Sequence, residues 1–92
     1  MTNAFVGTVE IPNKLGLHAR AAAKLVDLAN QFTAHVEVSK DGQVADAKSI
    51  MGVLLLCGQR GAMLTIRTKG DDAEAALDAL RELVAGGFGE SE

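Results

Sequence analysis

The stretch Asn13-Lys14-Leu15-Gly16-Leu17-His18-Ala19-Arg20 holds the residue types in this chain that are best suited to covalent chemistry. A neutral imidazole is a nucleophile, and a guanidinium two residues on supplies a fixed planar charge that forks to anionic oxygens. The stretch leaves a strand and enters a helix, with His18 at the helix mouth. The first turn of a helix has unpaired backbone N–H groups and a partial positive charge, so an anion carried on His18 would be bound by the amides of Ala19 and Arg20. A phosphoryl group fits that description, and Arg20 would stabilise the charge spread over its oxygens during in-line transfer. No carboxylate, serine or cysteine lies in the stretch to act as a partner base, so the residues point to a covalent acceptor and away from hydrolysis. The competing reading is structural, with His18 as a helix cap and Arg20 as a solvated charge, and local spacing alone does not separate the two.

A second stretch, Ala47-Lys48-Ser49-Ile50-Met51-Gly52, places Ser49 where a helix cap belongs, a role that contributes about 1 kcal/mol. A phosphate added there would sit favourably on the helix's positive end and place new charge beside Ile50 and Met51, altering docking and not folding. Ile50 and Met51 are adjacent on a short helix and point in different directions, so one of them is expected at the surface, where it would form a docking patch. His35 falls on the polar side of a strand and is assigned no role. Cys57 reads as a core filler. With no second thiol, no His pair and no carboxylate cluster, neither a metal nor another cofactor is expected.

The elements that must position these residues follow from periodicity. Residues 5–11 alternate, with Phe5, Val9 and Ile11 on one side and Thr8 and Glu10 on the other, and Pro12-Asn13 ends the strand. From Ala19 the spacing is helical, with Ala22, Leu25, Val26, Ala29 and Phe32 on one stripe. Ala34, Val36 and Val38 then alternate with His35, Glu37 and Ser39, and Asp41-Gly42 marks a tight hairpin into a strand near residues 44–47. Ile50, Val53, Leu54 and Cys57 suggest a short second helix leaving through Gly58 and Gly61. Residues 63–68 form a fourth strand and Gly70-Asp71-Asp72 a turn and cap. Ala73, Ala76, Leu77, Leu80 and Val84 mark a third helix, closed by Gly86-Gly87.

The resulting βαββαβα order predicts an α+β fold, a four-stranded sheet with three helices on one face and the other face open. The 92 residues, 48% of them hydrophobic, suffice for a single domain over residues 1–92. No apolar run approaches the roughly 18 residues of a membrane span, and Met1-Thr2-Asn3-Ala4 lacks the pattern of a secretory leader, so a cytoplasmic protein is expected. A net charge of −3, without Trp or Tyr, leaves no basic stripe and no stacking rings for nucleic acid, and makes proteins the expected partners.

Together these residues resemble the HPr family, the histidine-containing phosphocarriers of the bacterial phosphoenolpyruvate-dependent phosphotransferase system. The likeness covers nearly the whole chain. Its two signatures are Gly16-Leu17-His18-Ala19-Arg20-Ala21-Ala22, similar to the family's active-site motif, and Ala47-Lys48-Ser49-Ile50-Met51-Gly52, similar to its regulatory-serine motif. The resemblance implies an open-faced β-sandwich with an antiparallel sheet, acting as a carrier and not as an enzyme. It further implies that His18 is phosphorylated on Nδ1 by phosphorylated Enzyme I, with Arg20 assisting, and that the group passes to an Enzyme IIA-type protein. Ile50 and Met51 would lie on the shared docking face, and a monomer suits a carrier that must fit several partners. In many relatives a bifunctional kinase/phosphorylase modifies the serine matching Ser49.

One departure is Ala21, where the family usually has proline. Alanine leaves the active-site turn less constrained and adds one N–H, so an altered phosphohistidine lifetime or transfer rate is expected. Two branches also stay open. Asn13-Lys14-Leu15-Gly16 and Gly87-Phe88-Gly89-Glu90 look like the nitrogen-related NPr branch, whereas Ser49 and its neighbours look like the sugar-transport branch. A general carrier is the reading adopted, with regulatory output as the variant. The rival from another class is an interaction protein controlled at Ser49, in which His18 is idle.

Overall fold

Alternation in the first strand decides which side meets the core. In the computed structural model, which describes residues 3–90, β1 (Ala4–Glu10) turns Phe5 and Val9 toward the helices and leaves Ala4, Val6, Thr8 and Glu10 exposed. Met1 and Thr2 of the N-terminal stretch read above, with Ser91 and Glu92, lie outside the described residues. β1 pairs antiparallel with β4 (Met63–Lys69), from Ala4 opposite Lys69 to Glu10 opposite Met63. The other edge of β4 pairs with β2 (His35–Lys40), which pairs with β3 (Gln43–Asp46), so the antiparallel sheet runs β1-β4-β2-β3. Asp41 and Gly42 at the β2–β3 turn have φ of 52° and 83°, the pair of left-handed residues whose twist matches a tight hairpin.

Three helices, α1 (Ala19–Ala29), α2 (Ile50–Leu55) and α3 (Ala73–Ala85), cover one face. Leu25 from α1, Val53 from α2 and Leu80 from α3 join Val36 and Val38 of β2 and Leu64 and Ile66 of β4 in a single buried cluster. Each such aliphatic side chain contributes about 1.5–3 kcal/mol on burial. The opposite face carries the exposed His35, Arg67 and Lys69 and the half-buried Glu37. This is the open-faced sandwich expected from the element order, with strand ends moved by a residue at most.

Four details differ from expectation. α1 closes at Ala29, because the Gln31 and Phe32 amides donate to the carbonyls of Leu28 and Ala29, three residues back, tightening the last turn; Phe32 lies beyond the helix, half-buried. α2 stops at Leu55, so Leu56 takes the buried position and Cys57 is exposed at a φ of 52°, not a core filler. Asp72 makes no side-chain bond to its own helix. Its carboxylate instead accepts from the amides of Thr33 (2.9 Å) and Ala34 (2.8 Å), tying the start of α3 to the turn before β2.

The Thr33 amide above all, with that of Ala34, holds the Asp72 carboxyl below its ordinary value of 3.8, against the opposing effect of partial burial. A folded-state value below the unfolded one contributes stability that is complete above pH 3.8 and is lost as pH falls through the lowered value. Asp72→Asn should therefore lower the urea midpoint at neutral pH, with the gap to the parent narrowing below about pH 4. A gap that stayed constant to the acid limit of folding would contradict this.

Candidate functional site

The loop between β1 and α1 is held by backbone contact with the loop that leaves α2. Gly16 has a φ of +64°, and a Cβ there would lie 2.6 Å from the Gly58 carbonyl oxygen and 2.8 Å from Gln59 Cα, so only glycine fits. The Leu17 amide donates to the same Gly58 oxygen at 2.8 Å, and Leu17 is buried. With its neighbour pinned, His18 is delivered to the mouth of α1 in extended conformation, φ −74° and ψ 177°, as the N-cap.

The first helical hydrogen bond runs from the Ala22 amide to the His18 carbonyl at 2.8 Å, so the amides of Ala19, Arg20 and Ala21 have no partner within the helix. The Arg20 amide donates to Nδ1 of His18 at 3.3 Å, giving the ring nitrogen the role usually taken by a capping oxygen. Nε2 of the same ring meets Oε2 of Glu90. These two partners fix the tautomer: Nδ1 faces a donor and must be the acceptor, and Nε2 faces a carboxylate and must carry the proton. The ring thus presents a bare Nδ1 at a helix N-terminus. Its side chain is 25% exposed and that of Glu90 14%.

Glu90 arrives from the far end of the chain. Beyond α3, Gly87, Phe88 and Gly89 form a short 3-10 turn with three successive left-handed residues, φ 68°, 59° and 74°. Phe88, 1% exposed, is sunk in the core, and its carbonyl accepts from Nζ of Lys24 on α1 at 2.7 Å. Nδ2 of Asn13, itself 2% exposed, donates both to the Gly16 carbonyl and to Oε1 of Glu90, each at 2.8 Å. The Asn13 bond foremost, then His18 and the charge of Lys24, hold the Glu90 carboxyl below its ordinary 4.5 against partial burial.

The other expected residues are placed as follows. Ala19 and Arg20 are exposed at the helix mouth. Ser49 is the N-cap of α2, its hydroxyl accepting from the Gly52 amide at 3.3 Å. Ile50 and Met51 are both at the surface, 41% and 64% exposed, where periodicity had required only one of them to be; a helix of six residues buries only Val53. Leu15 and Leu55, not singled out from the sequence, are also exposed, on the histidine loop and on α2. His35 is exposed beside Glu37. Among the described residues no group of three or more His, Cys, Asp or Glu is arranged to hold a metal ion.

Sequence reasoning missed Asn13 and Glu90 as members of the site. The available signal was Phe88 between two glycines after a helix, the pattern of an aromatic anchor on a sharply turning chain. Nothing local says where that chain goes next.

A family model described as "PTS HPr component phosphorylation site" matches residues 6–86. The chain belongs to the HPr family. Members of the HPr family are phosphocarriers of the phosphotransferase system. The phosphocarrier protein HPr of Cupriavidus necator is 52% identical over 89% of this chain and 92% of its own length. The phosphocarrier protein NPr of Shewanella violacea is 47% identical over 90% of this chain and 91% of its own. The fold matches a crystal structure of HPr-C-His from Thermoanaerobacter tengcongensis with a TM-score of 0.91, at 42% identity, covering 96% of this chain and 99% of that one. Among the described residues no helix is long and apolar enough to cross a membrane.

Asn13 gives a direct test of how the site is held. Asn13→Asp keeps the shape but replaces two donated hydrogen bonds with a buried charge facing the Gly16 carbonyl and the Glu90 carboxylate. It should destabilise the fold at neutral pH by about 3 kcal/mol or more, read from urea unfolding. A loss within error of zero would show that Asn13 does not hold the loop.

Proposed function

We propose that this chain is a cytoplasmic phosphocarrier in which Nδ1 of His18 accepts a phosphoryl group from phosphorylated Enzyme I and delivers it to an Enzyme IIA-type protein. The observation that carries the reading is the bare Nδ1 of His18, held by its two partners at the mouth of an eleven-residue helix. In the forward step the Nδ1 lone pair attacks phosphorus while the donor's bond to that phosphorus breaks and its electron pair returns to the donor. No proton has to leave Nδ1, since it bears none. The Arg20 amide, released from Nδ1, and the Ala19 amide then donate to phosphoryl oxygens, and the Arg20 guanidinium adds its charge. Delivery is the reverse attack by an acceptor nucleophile. The carrier consumes nothing and needs no cofactor.

Exposed Ile50 and Met51, with Leu15 and Leu55, supply an apolar surface on the helix and loops adjoining His18, which supports docking of successive partners there. The exposure of Ser49 at the cap of α2 supports modification there by an HPr kinase/phosphorylase, which would put charge into that surface without removing core contacts. Relatives named both HPr and NPr support a general carrier whose output is sugar uptake, regulation, or both. The second reading, an interaction protein controlled at Ser49 with His18 idle, predicts no label on the histidine.

Incubation with phosphoenolpyruvate and Enzyme I should give one acid-labile phosphoryl group by intact mass. His18→Ala should abolish the label while destabilising the fold by no more than about 1 kcal/mol, the value of a lost cap. Arg20→Ala should still be labelled but about tenfold or more slowly. An unlabelled wild-type protein would favour the interaction reading.

A further inference from the structure

We infer that Glu90 is a positioning residue for phosphoryl transfer, which through Nε2 of His18 fixes the ring's orientation and tautomer and balances the charge the ring gains when Nδ1 is phosphorylated. The inference rests on the phosphocarrier reading and adds to it a residue 72 positions away in sequence from the histidine.

An unrestrained imidazole rotates about its terminal side-chain torsion and exchanges its proton between nitrogens, so only part of the population aims a lone pair at an incoming phosphorus. Here both nitrogens are engaged. The Arg20 amide holds Nδ1 as an acceptor and the Glu90 carboxylate holds the proton on Nε2. The carboxylate is itself anchored by Asn13 on its other oxygen, with His18 and Lys24 the charged or titratable groups that face it. Three successive left-handed residues and a buried Phe88 fix the approach of the chain that carries it. A surface carboxylate resting near a histidine by chance needs none of this support.

The chemistry assigns the contact a use. When the neutral ring attacks through Nδ1, the N–P bond forms, the donor's bond to phosphorus breaks with its electron pair returning to the donor, and the proton stays on Nε2. The ring is then a phosphoimidazolium cation, and its positive charge is shared with the one N–H that already faces a carboxylate. Glu90 therefore offsets charge that develops in the transition state and is absent from the free carrier, which is the condition for an interaction to speed the step.

The test uses full-length wild type, Glu90→Gln and Glu90→Ala. Gln keeps the shape and the Asn13 partner but removes the charge, and Phe88 still anchors the chain in both variants. In nitrogen-15 spectra of the unphosphorylated protein, the His18 Nε2–H proton should be downfield and protected from exchange in wild type, and unprotected in Glu90→Ala. With phosphoenolpyruvate and Enzyme I, both variants should reach one phosphoryl per chain, with kcat for acceptance lowered about tenfold and KM for the carrier unchanged. A wild-type rate in both variants, or a raised KM at unchanged kcat, overturns the inference while leaving the phosphocarrier reading intact. Absence of label on wild type overturns the reading, and the inference with it.

Discussion

The Leu17 amide donates to the Gly58 carbonyl at 2.8 Å, beside a glycine whose backbone has no room for a Cβ. This contact sets the position of everything that follows on the N-terminal side of the site. It joins the loop leaving β1 to the loop leaving α2, two segments far apart in sequence, with Ile11 and Leu17 buried around it. Because Leu17 is fixed, His18 meets the axis of α1 as an N-cap and cannot slide into the helix or out toward solvent. Because Gly58 is fixed by the same bond, α2, with Ser49 at one end and Met51 and Leu55 on its surface, is held next to the histidine loop. The placement of the His18 ring and that of the α2 surface are thus two outcomes of one backbone contact.

On the other side of the ring the organising constraint is the left-handed turn after α3. Helices commonly end in one left-handed residue; three in a row redirect the chain sharply. Two of the three are glycines, for which this conformation carries no Cβ penalty, and the strain at Phe88 is offset by complete burial of its ring. Asn13 then serves both halves, donating to the Gly16 carbonyl on the histidine loop and to Glu90 on the turning chain. A single buried amide couples the two ends of the fold at the point where the ring sits.

Much of this was legible in the sequence because it is governed by local rules. Strand alternation in β1 and β2, the left-handed pair Asp41-Gly42, the capping serine of α2 and the apolar stripe of α3 all follow from periodicity and turn chemistry, and the structure places them as read. His18 and Arg20 stood out as a nucleophile and a cation two residues apart at a helix mouth, a spacing that by itself fits a structural cap and a solvated charge equally well. The failures are also physical. Cys57 lies on a helical stripe that the chain leaves before reaching it, since a six-residue helix gives periodicity little length to act on. Asp72 has the residue type of a cap but finds stronger partners in two amides of another segment. Glu90 meets Asn13 and His18 across 77 and 72 positions, and no local pattern encodes a contact of that kind.

The distance in sequence between the ring and its carboxylate bears on how the molecule comes into being. Among the described residues β1 pairs with β4 alone, and the sheet cannot close until the chain through residue 69 is available. The histidine's own pocket waits longer still, for residues 88 and 90. During synthesis the motif around His18 emerges early but has neither its backbone clasp nor its counter-charge until nearly all of the chain has followed. Non-local pairing of this order makes folding a late, collective event. A ribosome-bound fragment ending after α2 would therefore display the histidine motif without the carboxylate contact on its ring.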